Sequence, residues 1–295
     1  MPLKTFRDIV DDIARAHVPA VQLTGGEPTL HSQFDQALEL SSQAELEITL
    51  VTNGTQDVAT YLSRLTRLIV SLDSWNPEIY RQIRGVGQEE VLKNLRRALT
   101  MTDRPHTTVC TVINALTCDH LYDFLTQSVA EGVDKISFLS LELPGFRSPG
   151  DRGFSFGRRA SLPGDKLIPS SQQLQRLASE TVPRVNEFIR SHPQFDNASV
   201  RQLPAVIDFY SRYTGGCEFP SQDLCGFPLK EMVVTEVCAV KPCFFLPIEW
   251  PYEKGFDFNN DSRVKAFREQ YSGELGYREL NCSGCFQTIH GKVNS

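Results

Sequence analysis

At 295 residues the chain is long enough for one large α/β domain with a smaller appendage, or for two modest domains. A hydrophobic fraction of 40%, a charged fraction of 22% and a formal net charge of -6 describe a soluble globular protein without a general nucleic-acid surface, since phosphate binding wants a basic field. No apolar run approaches the roughly 18 residues of a membrane span, and MPLKTFRDIVDD brings in acidic residues before any apolar core, unlike a signal peptide; a cytoplasmic location is expected.

Leu3, Phe6, Ile9, Val10 and Ile13 recur at helical spacing, so residues 3–17 should form an amphipathic helix started by Pro2. AVQLT (20–24) suits a short buried strand. A helix at 32–43, a strand at 47–54 (EITLVTNG), a helix at 57–65 and a strand at 67–73 (RLIVSLD) continue the alternation. The series closes with a helix at 89–100, a strand at 107–114 (TTVCTVIN), a helix near 119–131 and a strand at 135–143 (KISFLSLEL). Strands alternating with helices imply parallel pairing through right-handed crossovers. Near-continuous apolar runs such as LIVSL imply strands covered by helices.

After residue 143 the pattern changes. Residues 144–166 are rich in Gly, Pro, Ser and Arg and read as a solvated loop, whose four arginines could also meet an anionic substrate. A helix follows at about 170–190, and a cysteine-rich region starts near 200. The expected domains are therefore 1–143, a loop-and-helix linker at 144–199, and 200–295. Cys217, Cys225, Cys238, Cys243, Cys282 and Cys285 crowd that last part; in a cytoplasmic chain this favours metal or iron–sulfur ligation over disulfides.

In parallel sheets and barrels, ligands sit at the carboxyl ends of the strands. Three polar clusters fall there: Thr24-Gly25-Gly26-Glu27-Pro28, Thr52-Asn53-Gly54 and Ser71-Leu72-Asp73. The glycines let a ligand approach the backbone closely, Glu27 offers charge-assisted bonds to an ammonium, and Pro28 stiffens the exit. Two glycines after a strand are also common in ordinary strand-to-helix turns, so the information lies in the three clusters taken in this order.

In that order the clusters resemble the radical S-adenosylmethionine (SAM) superfamily over residues 1–143. GGEP at 25–28 is similar to the motif for the methionine amino group; VTNGT (51–55) and VSLDSWNPEIYRQIRG (70–85) resemble the third and fourth strands and the loop after them. The resemblance implies an incomplete (β/α)6, TIM-like barrel lacking its first strand. It implies that Gly25, Gly26, Glu27 and Pro28 bind the amino end of SAM. Thr52, Asn53, Ser71 and Asp73 would lie near its ribose or carboxylate, and Asn114 would form part of the cofactor's wall.

The superfamily's C-x3-C-x2-C loop, whose three thiolates hold a [4Fe–4S] cluster with one iron open to SAM, is absent from this sequence. The expected explanation is a start at an internal methionine, because everything downstream is intact; a degenerate copy is the alternative. Cys110 and Cys118, with seven residues between them, read as packing residues.

Cys282-x2-Cys285 can converge two sulfurs on one metal, and two separated cysteines complete a four-thiolate set for zinc or for a cluster. The region resembles the SPASM or twitch domains that carry auxiliary clusters, whose opening motif runs cysteine, spacer, glycine, four residues, cysteine. Cys225 and Cys243 fit that frame, with Cys238 where the glycine should stand. The expected ligands are Cys225, Cys243, Cys282 and Cys285 around one auxiliary [4Fe–4S] cluster. Cys217 and Cys238 are alternates, and His290 is a substitute ligand in the zinc case.

The resemblance thus implies an enzyme that cleaves SAM reductively to a 5′-deoxyadenosyl radical and abstracts hydrogen from a substrate, with a peptide or protein among the classes it suggests. An electron donor such as flavodoxin or ferredoxin would then be a partner. Two rivals are a SAM- or partner-binding protein without catalysis, and an α/β nucleotide-binding protein with structural zinc. Against the second stands the lack of GxGxxG and GxxxxGK[ST].

Overall fold

The computed structural model describes residues 1–141, 164–193, 195, 200–215, 224–282 and 285. The first half is a run of strands and helices. Helix α1 (Leu3–Arg15) precedes β1 (Ala20–Leu23), α2 (Phe34–Gln43), β2 (Glu47–Thr52) and β3 (Arg67–Ser71). Then come α3 (Pro77–Arg84), α4 (Glu89–Leu99), β4 (His106–Ile113), α5 (Leu121–Ala130) and β5 (Lys135–Ser140). All five strands pair in parallel in the order β1-β2-β3-β4-β5, the topology of an open barrel wall.

The helix-facing side of this wall is the core. Ile48, Leu50, Leu68, Ile113, Ile136 and Phe138 are fully buried there against residues such as Leu38 of α2 and Leu125 of α5. On the other face Ile69, Ser71, Cys110 and Ser137 remain half-buried. Register places Ser71 beside Cys110 and Cys110 beside Ser137, so small polar groups form a rung across the inner wall.

Three local expectations change. AVQL pairs only with β2 in the described sheet and lies half exposed, so β1 is an edge strand rather than a buried one. Residues 59–64 wind as a 3₁₀ helix instead of an α-helix. The segment after β3 is not a loop throughout. Asn76 caps α3 by accepting from the Glu78 and Ile79 amides, and Pro77 occupies its first turn, where a missing N–H costs nothing.

Beyond β5, α6 (Ser171–Arg176) passes through a π-turn at Leu177–Thr181 into α7 (Val182–Ser191), and α8 (Leu203–Gly215) follows. These helices are not a detached linker. Leu174, Leu177, Val185, Ile189, Val206 and Tyr210 are buried in the main core. The Tyr210 hydroxyl donates to Ile113 O and accepts from Leu141 N, fastening α8 to the ends of β4 and β5.

The cysteine-rich part contains α9 (Phe227–Lys230), an antiparallel sheet of β6 (Val233–Val234), β7 (Ala239–Lys241) and β8 (Trp250–Pro251), then α10 (Ser262–Gly273) and α11 (Leu275–Cys282). It docks on α1. Asp12, 1% exposed, accepts from the Tyr252 hydroxyl and the Gly255 amide, both at 2.7 Å. Its other oxygen sits 2.8 Å from the Arg15 guanidinium, Lys254 pairs with Asp8, and Asn259 donates to Ala16 O. No helix among the described residues is long and apolar enough to cross a membrane.

The β6–β7 turn is closed by a residue with positive φ. Cys238 closes it with φ 62°, its amide donating to Thr235 O at 2.9 Å. An L-residue in this left-handed region costs about 1–2 kcal/mol, which glycine avoids. Cys238→Gly should therefore raise stability by about 1 kcal/mol in urea unfolding; an unchanged or lower stability would mean that contacts of the thiol outweigh the backbone cost.

Candidate functional site

The carboxyl ends of β1 and β2 are joined by one carboxylate. Glu27 Oε1 accepts from the hydroxyls of Thr29 (2.6 Å) and Thr52 (2.8 Å), and Oε2 accepts from the Asn53 amide at 2.6 Å. All these donors are neutral. They aim the carboxylate without cancelling its charge, and an ionised carboxylate has lone pairs to spare, chiefly on Oε2. Beside it Gly25 takes φ 132°, and an added Cβ at Gly25 or Gly26 would meet no atom within 4 Å. The backbone there faces open space. Pro28 starts the 3₁₀ turn Pro28–Leu30, whose N-cap is Glu27 itself.

The second strand end is tightly packed. Thr52 is buried and accepts from the Gly54 amide, while Asn53 Oδ1 accepts from the amide and hydroxyl of Thr55. Gly54 has φ 77°, and a Cβ would stand 2.8 Å from Val91 Cγ1, so α4 packs directly on this backbone.

At β3 and β4 a second charged fixture appears. The Leu72 and Asp73 amides both donate to Cys110 O, and Asp73 adopts φ 58°. This turns its side chain onto Val112 N (3.0 Å, to Oδ1) and Arg84 Nε (2.6 Å, to Oδ2). The Thr111 hydroxyl donates to the Asp73 carbonyl. Asp73 is only 3% exposed, with both oxygens engaged, whereas Arg84 keeps 32% of its side chain exposed. The more exposed partner, able to meet a ligand, is thus the Arg84 guanidinium, whose contact with Asp73 is made through Nε. Sequence reasoning singled out Asp73 and missed Arg84; the signal was a basic residue in the last turn of a short helix packed over the strand ends.

Ser71 lies half-buried on the inner wall below this fixture. Asn114 is 2% exposed and ties its own turn together: its Nδ2 donates to Val112 O and its Oδ1 accepts from Leu116 N at 2.8 Å. Burial pushes the Cys110 and Cys118 thiols up to about 12. Cys110 is on the inner wall of β4, and Cys118 is a 1%-exposed core residue under α5, so the pair forms no convergent thiolate set.

The C-terminal cysteines are arranged differently. Cys225 precedes α9, Cys243 follows β7, Cys282 ends α11, and the Cys285 amide donates to Cys282 O at 3.0 Å. Cys225 and Cys285 are buried, Cys243 and Cys282 half-buried, and no disulfide joins the described cysteines. Burial first, and neighbouring thiols second, push Cys225 and Cys282 up to about 12; Cys285 and Cys243 act on both. The Phe245 amide donates to Cys243 Sγ at 3.5 Å. Among the described residues no group of three or more His, Cys, Asp or Glu is arranged to hold a single metal ion. Cys217, His290 and the arginines of 144–163 lie outside the described residues.

Comparison with known proteins matches residues 1–126 to the Radical SAM superfamily. A probable GTP 3',8-cyclase of Thermococcus kodakarensis is 30% identical over 176 residues, 58% of this chain and 54% of that protein. A GTP 3',8-cyclase of Peptoclostridium acidaminophilum is 27% identical over 197 residues, 64% of this chain and 59% of that protein. The chain therefore spans a little over half the length of these curated relatives. Among solved structures, native anSMEcpe with bound AdoMet and Kp18Cys peptide superposes with a TM-score of 0.62 at 15% identity, covering 100% of this chain and 83% of that one. That likeness concerns the fold.

Proposed function

Because residues 1–126 match the Radical SAM superfamily, we propose that the rim formed by the ends of β1 to β4 binds S-adenosylmethionine. The observation that carries this is the pairing of two fixed charges on one rim. Glu27 is aimed by neutral donors at the β1–β2 end, and Arg84 is held by Asp73 at the β3–β4 end. The amino-acid end of SAM carries an ammonium and a carboxylate. Glu27 and the open Gly25-Gly26 backbone would take the first, Arg84 the second, with Thr52, Asn53, Ser71 and Asn114 around the nucleoside.

A [4Fe–4S] cluster, characteristic of the superfamily, would supply the electron that reductive cleavage of SAM needs. The described residues near Gly25–Pro28 do not fit it, since Cys110 and Cys118 do not converge. The proposal for these residues is cofactor binding; radical chemistry needs three further thiolates and an electron donor of the flavodoxin or ferredoxin type.

For the C-terminal part we propose one auxiliary [4Fe–4S] cluster on Cys225, Cys243, Cys282 and Cys285. Cys243 and Cys285 act electrostatically on both Cys225 and Cys282, and four thiolates are a donor set that suits zinc as well as an iron–sulfur cluster. The cluster is favoured because four cysteines match one thiolate per iron, and the Phe245 N–H bonding to Cys243 sulfur suits a thiolate. The substrate class proposed is a peptide or protein, supported by the peptide-bound fold neighbour; GTP is the rival suggested by the curated relatives.

Equilibrium dialysis against SAM and, separately, GTP tests the reading, with iron, sulfide and zinc measured on the same anaerobic preparation. Saturable SAM binding with iron and sulfide is expected. A zinc protein that binds GTP and ignores SAM overturns it.

A further inference from the structure

Resting on the cluster assignment above, we infer that Tyr271 is a positioning residue that donates a hydrogen bond to the Cys282 thiolate and raises the reduction potential of the group held there. Tyr271 lies on α10, is fully buried, and touches both halves of the cysteine set. Its hydroxyl donates to the Cys225 backbone carbonyl at 3.2 Å and stands 4.0 Å from Cys282 Sγ. The ring is wedged between Phe267, stacked at 5.6 Å, and Tyr277, edge-on at 6.2 Å. These rings exclude water and leave the hydroxyl little choice of partner.

With Cys282 as a thiol, the proton in the Cys282–Tyr271 contact belongs to sulfur. A metal-bound Cys282 has lost that proton, so only the tyrosine can supply one. Its two acceptors are then a neutral carbonyl and a charged sulfur, and a bond to the charged acceptor is the stronger. Hydrogen bonds to cluster sulfurs draw off electron density and favour the reduced, more negative state. Phe245 N–H already does this at Cys243. Tyr271 would place a second donor on another ligand, Cys282.

The test uses the whole chain, purified anaerobically, with iron and sulfide assayed and the midpoint read by EPR-monitored redox titration. Tyr271→Phe should keep wild-type iron and shift the midpoint to more negative potential. 3-Fluorotyrosine placed at 271 alone keeps the shape and strengthens the donor, so it should shift the midpoint the opposite way. A structural role would not give opposite signs. Wild-type iron with an unmoved midpoint in both proteins overturns the inference while the cluster reading stands. Should Tyr271→Phe fail to fold, the fluorotyrosine protein decides alone: an unmoved midpoint overturns the inference. Wild-type protein without iron and sulfide overturns the cluster reading, and the tyrosine assignment with it.

Discussion

Glu27→Ala should lower SAM affinity by about 10- to 100-fold, because a charge-assisted hydrogen bond to a ligand ammonium is worth about 1.5–3 kcal/mol. The same change strips partners from the Thr52 hydroxyl and the Asn53 amide. Both lie at a strand end near open space, where water replaces a lost acceptor, so the cost to folding should stay near 1 kcal/mol. Glu27→Gln separates the two effects. Its carbonyl oxygen keeps one of these bonds and the fold, but offers no charge to an ammonium. Dialysis and a urea titration on both variants provide the check: affinity equal to wild type in Glu27→Ala would remove this carboxylate from the cofactor site.

Asp73→Ala should be the most destabilising single change at the rim, at about 3 kcal/mol. Breaking a buried ion pair from one side costs about 3–5 kcal/mol, and the 32% exposure of Arg84 lets water recover part of it. Val112 N also loses its acceptor, and alanine tolerates φ 58° less well than aspartate. Asp73→Asn keeps the acceptor and the tolerance for this backbone, so it should cost about half as much. SAM affinity should fall in both, because Arg84 is no longer aimed. A fully stable Asp73→Ala protein would mean that the backbone after β3 is held by its bonds to the Cys110 carbonyl and the Thr111 hydroxyl without the Asp73 side chain.

The barrel wall was legible because strands covered by helices read as apolar runs, and the Ile48, Leu50, Leu68 and Ile136 positions are buried accordingly. Glu27 was legible because glycines, carboxylate and proline sit in one short stretch. Arg84 was not, since it reaches back 11 residues to Asp73 and only the fold shows which end of the guanidinium is spent. Helix α3 hid behind Ser74-Trp75-Asn76, which reads as loop, although Asn76-Pro77 is a helix-start signal. Helix α8 was masked by its position beside the cysteines, although Val206, Phe209 and Tyr210 carry helical spacing. AVQL read as buried because composition reports apolarity, whereas burial depends on what lies across the strand edge.

The fastening of α1 also bears on how the chain is made. Tyr252 reaches Asp12 across 240 residues, and Gly255 and Asn259 reach α1 across 243. At roughly 5–20 residues per second, a ribosome needs on the order of 10–50 s to produce that partner after Asp12 has emerged. Through that interval α1 can lie on α2 by its Ile9, Val10 and Ile13 face, while the carboxylate that ends 1% exposed still faces water. The last turn of α1 is therefore sealed only once translation has passed residue 259, long after the helix itself has been made.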